Sequence, residues 1–258
     1  MNSWSSKRKG LVTFIIFVFL VFVVGTPIYL HYHQKPTCFD RTMNGDETGI
    51  DCGGSCQLMC APDVLPLLIK GTPRIIEESA KTYVIALQVQ NPNTYGEVLH
   101  AGYTIKLFDA TSSAPFKTLT GSTFVPKNTT FGIFVGPMFI PDETPTRVTF
   151  VWDAPLPFLR NTTTVPKVSV TNPLFAQTAK PRLTATLMNS SNVSVSNIEA
   201  VAFVEDEQGN FIGASKTFVD VLAPGASSPL VFTWPQNFVG TSTAVEVITR
   251  VFPDASYR

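Results

Sequence analysis

The chain holds 258 residues, 44% hydrophobic and only 15% charged, and its 19 basic and 19 acidic side chains cancel. That length suits two domains of about 100 residues each, and the apolar content supplies real cores, which excludes wholesale disorder. Zero net charge excludes the basic footprint of a nucleic-acid binder.

Residues 1–10, MNSWSSKRKG, read as a short cytoplasmic tail. Residues 11–30, LVTFIIFVFLVFVVGTPIYL, carry no charge, and a helix of that length rises about 30 Å, the thickness of a bilayer's hydrocarbon core. Lys7, Arg8 and Lys9 stand just before it. The positive-inside rule therefore leaves the N-terminus in the cytoplasm and everything beyond Leu30 outside the cell membrane. The competing reading is a cleaved signal peptide. Val23 and Gly25 are small, but no A-x-A pattern is present, Pro27 follows closely and the run outlasts a signal core. The segment reads as an uncleaved, single-pass signal-anchor. Polar Lys35-Pro36-Thr37 argues against a lipid on Cys38.

Residues 31–61 form a cysteine-rich segment. His31 and His33 offer two imidazoles with no third metal ligand nearby, and with Tyr29 and Tyr32 they fit an interfacial aromatic belt. All four cysteines, Cys38, Cys52, Cys56 and Cys60, cluster here. In an oxidising compartment such a set reads as two disulfides, with three pairings open. A Cys₄ zinc site is the rival, weakened because the spacings do not make two matched C-x₂₋₄-C knuckles.

Between Cys38 and Cys52 the oxygen-bearing side chains follow a calcium-loop order. With Asp40 at position one, Thr42 falls at three, Asn44 at five, Gly45 at six, Asp46 at seven, Thr48 at nine and Asp51 at twelve. Alternate ligands converge on an ion in such a loop, the glycine permits the sharp turn, and hard oxygens suit Ca²⁺. Asp51 replaces the usual bidentate Glu, Glu47 stands where an apolar residue is usual, and no helix-forming sequence flanks the loop. A disulfide would supply the closure instead. The plain alternative is a solvated spacer whose Asn-Gly and Gly-Gly pairs merely make turns.

CFDRTMNGDETGIDCGGSC resembles the C-x-D…N-G-x-E-T-x-x-D-C-G-G-x-C segment of surface and secreted proteins, including membrane-anchored proteins of candidate-phylum bacteria. The resemblance implies an extracytoplasmic, disulfide-bonded, calcium-binding module and no reaction.

Beyond Cys60 the pattern turns to period two. YVIALQVQ places Tyr83, Ile85, Leu87 and Val89 on one face and progressively polar residues on the other, a half-buried strand. Tyr103, Ile105 and Leu107 alternate likewise, as do Val148, Phe150 and Trp152. The order recurs roughly 97 residues later. RLTATLMNSSN parallels YVIALQVQNPN, EAVAFVEDEQGN parallels AGYTIKLFDAT, KTFVDVLAPG echoes GSTFVPKNT, LVFTWP echoes FGIFVGP, and VEVITRV matches RVTFVW. The expected fold is mainly β, with two tandem immunoglobulin- or fibronectin-like β-sandwiches at 62–152 and 167–258. The Pro- and Thr-rich residues 153–166 read as linker. YVIALQVQNPN resembles the NPN-bearing strand of the water-stress domain of late-embryogenesis-abundant proteins, and IKLFD, more loosely AFVED, resembles the FxLYD-domain motif. Both resemblances imply extracytoplasmic or stress-associated sandwiches without an enzymatic site.

No hydrolase, zincin, P-loop or dinucleotide fingerprint appears. Glu205-Asp206-Glu207 before Gln208-Gly209-Asn210 reads as a hairpin turn facing water, and Glu77 and Glu78 read as solvated carboxylates. His100 reads as solvated, at a turn before a strand. Asn128, Asn161, Asn189 and Asn192 begin sequons, glycan sites in a eukaryotic secretory protein and without meaning in a bacterial one. The expected function is a non-enzymatic envelope protein that binds an unidentified envelope or surface protein, with no nucleic acid and no small-molecule substrate. The alternative is an accessory subunit docking on a membrane enzyme or transport complex. A hydrolase would need a pocket where His100 meets a nucleophile.

Overall fold

The computed structural model describes residues 3–32, 37–254 and 256; the side chains of His31 and His33 lie outside that description. The chain divides into two compact units, Met1–Cys56 and Gln57–Arg258. In the first, α1 (Ser3–Tyr32) is one continuous helix with Pro27 near its end. Its segment Arg8–Leu30 has a mean hydropathy of 2.8, and no residue of its most apolar window is buried inside the protein. A helix apolar on every side and packed on nothing suits lipid, where backbone groups must be satisfied within the segment. Among the described residues no cysteine is free: Cys38 pairs with Cys56, and Cys52 and Cys60 are also disulfide-bonded. Helix and disulfides together fit a membrane-anchored extracytoplasmic protein.

The second unit is two β-sandwiches. The first comprises β1 (Leu68–Ser79), β2 (Thr82–Asn91), β3 (Gly96–Phe108), β4 (Lys117–Val125), β5 (Thr129–Phe139) and β6 (Arg147–Trp152). Antiparallel sheets β1-β2-β5 and β4-β3-β6 enclose a core in which Ile85, Leu87 and Val89 meet Ile105, Leu107 and Phe150. Within the segment expected as linker, β7 (Leu159–Arg160) pairs with the start of β3.

The second sandwich comprises β8 (Val168–Ala176), β9 (Arg182–Asn189), β10 (Val195–Glu205), β11 (Phe211–Leu222), β12 (Ser227–Thr233) and β13 (Ala244–Val251). Its sheets run β12-β9-β8 and β11-β10-β13 around Leu183, Leu187, Ala200, Ala202 and Phe232. Matching β8 to β1, β9 to β2 and so on to β13 with β6 reproduces both sheet orders, so the repeat in sequence is a repeat in topology.

One side chain shows why the repeat kept its strand ends. Asn91, 1% exposed, donates through Nδ2 to Gly96 O at 2.7 Å and Pro126 O at 2.8 Å, and its Oδ1 accepts from the Asn93 N–H at 3.0 Å. Asn189, 0% exposed, does the same with Val193 O and Leu222 O, both at 2.9 Å, and with the Ser191 N–H at 3.0 Å. Each amide satisfies backbone groups that a buried turn would otherwise leave unpaired. The sequon asparagine Asn189 is therefore closed to modification in the folded chain.

The two sandwiches do not merely follow one another. A third apolar cluster joins the outer face of β1-β2-β5 to the outer face of β11-β10-β13, through Ile76, Val84 and Ala86 on one side and Val201, Phe203 and Ala214 on the other. This corrects the expectation of a half-buried β2, since Val84, Ala86 and Gln88 are buried as well. Gly132 on β5 is where Phe203 enters: an added Cβ would lie 2.9 Å from the Phe203 ring and from Val201 Cβ.

A buried ion pair borders this interface. Arg250 donates to Glu199 Oε1 through Nε at 3.2 Å and Nη2 at 2.5 Å, and its Nη1 crosses to Thr123 Oγ1 at 2.8 Å and Phe124 O at 2.9 Å. Its guanidinium lies over Phe252 at 4.5 Å and Phe131 at 5.1 Å. Gln88 Nε2 reaches Glu246 at 2.8 Å, and Arg74 reaches Asn210.

Gly132→Ala is expected to lower the unfolding free energy by about 1–3 kcal/mol through overpacking against Phe203, read by chemical denaturation. Glu199→Ala, which strands a buried guanidinium, is expected to cost about 3–5 kcal/mol, whereas Glu199→Leu with Arg250→Met returns close to wild-type stability. Equal losses for the single and double variants would refute that account of the pair.

Candidate functional site

The loop of the first unit organises itself around its carboxylates. Asp40 Oδ1 accepts from the Thr42 N–H at 3.0 Å and Thr42 Oγ1 at 2.6 Å, and its Oδ2 accepts from Asn44 Nδ2 at 2.9 Å. These bonds, the two side-chain donors foremost, hold the Asp40 carboxyl well below the usual carboxylate range, so it stays ionised. Both Asp51 oxygens accept from the Arg41 N–H at 3.0 Å. Gly45 has φ 64°, a left-handed turn that glycine adopts without a Cβ penalty, and Arg41 and Asp51 of the same loop adopt it as well, at φ 61° and 55°.

Asp40, Thr42, Asn44 and Asp51 are thus drawn to one turn. Within the same loop Asp46 Oδ1 accepts from Ser55 Oγ at 2.7 Å, and the Thr48 N–H donates to Cys52 O at 3.2 Å. Asn44 Oδ1 is shut off from solvent without a hydrogen-bond partner. Glu47, the departure at position eight, is the hub of the loop. Its Oε2 accepts from the Asn44 and Asp51 N–H groups at 3.3 Å, and its Oε1 lies 3.2 Å from Cys56 Sγ. Cys38, Glu47 and Cys56 approach as three metal-ligand types would, but the two sulfurs are bonded to each other and offer no thiolate.

Beside a cleft of about 430 Å³ lined by Lys70, Arg74, Gln88, Glu205 and Asn210, two more open between the sandwiches. The larger, about 570 Å³, is bordered by Lys127, Lys167 and Arg250. Its cations are largely committed: Lys127 Nζ donates to Asn161 O at 2.6 Å and to Thr163 O at 2.5 Å, and Arg250 is held by Glu199.

The smaller, about 200 Å³, lies between β1, β11 and the segment after β12, with Glu77, Glu78, Phe211, Ile212, Trp234 and Phe238 on its walls. Trp234 and Phe238 meet edge to face at 5.3 Å, and Phe238 stacks on Phe175 at 6.1 Å. Gly213 makes room for the Phe238 ring, whose nearest carbon would stand 2.4 Å from an added Cβ. Glu78 is half-buried in this apolar setting, and burial pushes its carboxyl up to about 6. It was expected to be solvated. The sequence carried no sign of the cleft, because its far wall comes from residues 211–239 on the other sandwich.

The remaining expectations resolve simply. His100 is exposed and lies within β3, at a register shift opposite β4, and not in a turn before the strand. Asp206 caps the β10–β11 hairpin by accepting from the Gln208 and Asn210 N–H groups at 2.9 and 2.8 Å.

No protein-family model matches the chain, and no curated protein is significantly similar to it. Among solved structures it aligns with red sea bream transglutaminase at a TM-score of 0.25 and 14% identity, over 77% of this chain and 31% of that one. The chain thus spans about a third of that protein's length, and a likeness so weak carries no argument.

The Glu78 carboxyl titrates near 6 when folded against an ordinary 4.5. Between those values the folded chain holds a proton that the unfolded chain has lost, so stability falls as pH rises through that window. Glu78→Gln is expected to flatten this fall and to raise the melting midpoint at pH 7, followed by thermal melts from pH 4 to 8.

Proposed function

We propose that the protein is a non-enzymatic, single-pass component of the cell envelope, with its N-terminus in the cytoplasm and its sandwiches outside, that binds another envelope or surface protein. Lys7, Arg8 and Lys9 before the apolar helix support the orientation. The disulfide-bonded segment between anchor and sandwiches is a calcium loop with Asp40, Thr42, Asn44 and Asp51 as its core ligands. The observation that carries the calcium reading is Asn44 Oδ1, an unpartnered oxygen cut off from water in the turn where the Asp40 and Asp51 carboxylates gather. A divalent cation would give that oxygen a partner and neutralise the carboxylates around it.

The test is amide hydrogen exchange of the oxidised full chain in nanodiscs. Calcium at a hundred times its Kd stabilises the bound loop by about 2.7 kcal/mol, so exchange at Arg41 and Thr42 should slow about a hundredfold, and Asp40→Asn with Asp51→Asn should abolish the effect. Identical exchange in millimolar calcium and in chelator overturns the calcium reading and leaves a disulfide-bonded spacer.

A further inference from the structure

The 200 Å³ cleft between the sandwiches sets two carboxylates beside side chains that belong to or pack on the apolar cores. One wall is a carboxylate pair on β1, Glu77 and Glu78, and the rest is Ile75, Ile76, Phe211, Ile212, Trp234, Gln236, Asn237, Phe238 and Val239. Glu77 has partners in its own hairpin, since its Oε1 accepts from the Lys81 N–H at 2.9 Å. Among the described residues Glu78 has none, and burial is what pushes its carboxyl up. Among the described residues no lysine, arginine or histidine lines the cleft, and Glu77 is the other ionisable group on its walls. A negative charge half-buried among aromatic rings, with no cation beside it among the described residues, is a site complementary to a cation on an apolar stem.

We propose that this cleft receives a lysine side chain of a partner protein, with the ammonium on Glu78 and the aliphatic stem against Trp234 and Phe238. The volume supports a single side chain over a cofactor, being below the roughly 300–1,000 Å³ of small-molecule pockets. Charge complementarity selects the ligand, and the apolar walls select its stem. Val239, 96% exposed at the rim, extends the apolar surface beyond the cleft, as a protein contact would use it. The carboxylate remains unpaired in the free protein because the partner completes it, and the cost of its burial is a cost in stability that binding recovers.

The chain has three tryptophans, so full-length protein in nanodiscs labelled with 5-fluorotryptophan gives separable fluorine signals. The probe is acetyl-glycyl-lysyl-glycinamide, with its norleucine counterpart as the neutral isostere and putrescine as a free amine. The lysine peptide is expected to shift the Trp234 signal saturably in the millimolar range and to leave Trp152 unmoved. The norleucine peptide should bind at least about tenfold more weakly, and so should the lysine peptide to Glu78→Gln or at one pH unit below the Glu78 titration. Phe238→Leu, which keeps the charge, should weaken binding several-fold and serves if Glu78→Gln fails to fold. Equal binding of the norleucine peptide, unchanged affinity in Glu78→Gln, or a Trp234 signal that does not move overturns the site. Tighter binding of putrescine than of the peptide overturns the assignment to a protein partner.

Discussion

The second unit depends on burying both faces of β2 and β10. In an isolated sandwich each strand would turn one face to the core and one to water. Here Val84 and Ala86 on one strand, and Val201 and Phe203 on the other, leave water by meeting across the gap. Complete burial of a side chain such as Phe203 contributes roughly 1.5–3 kcal/mol, but only if the opposing sheet offers room, which Gly132 does by lacking a Cβ. The packing is heterologous: the β1-β2-β5 sheet of the first repeat meets the β11-β10-β13 sheet of the second, which corresponds to its β4-β3-β6. Such an arrangement does not close on itself as a two-fold pair would, so each repeat keeps one sheet face out of the shared interface.

At the border of that interface the chain uses charge where it could have used more carbon. Arg250 is 7% exposed and Glu199 4%, and the guanidinium also holds Thr123 and the Phe124 carbonyl of the other sandwich. A buried pair of this kind gains little net stability over an apolar replacement. Its directional bonds nevertheless fix one relative placement of the two sandwiches, whereas apolar faces alone tolerate sliding. That fixed placement is what creates the clefts, because their walls come from both repeats.

The loop in the first unit follows a different logic. Its carboxylates are bound to backbone N–H groups and short polar side chains, so in this structure they act as local scaffolding. Oxygens that fold a turn in this way are also oxygens gathered in one place, and scaffold and cation site are built from the same atoms. Glu78 is the contrasting case, a carboxylate set among apolar walls with no partner among the described residues.

The sequence by itself determined the apolar helix, the oxidised cysteines, the strand pattern and the twofold repeat. These follow from local signals: an uncharged run long enough for a bilayer, an even cysteine cluster, and period-two alternation closed by Asn-rich turns. It also brought the Asp40, Thr42, Asn44 and Asp51 oxygens into view, since a turn of twelve residues is set by spacing and a glycine. It read Glu78 as solvated and the far face of β2 as polar for the same reason. Exposure of those positions is decided by residues of the other sandwich, and alternation within one strand carries no information about what lies against its second face. Only the tertiary structure could choose the disulfide pairing, bury Asn189 and join the sandwiches, because each depends on groups far apart in the chain that only packing brings together.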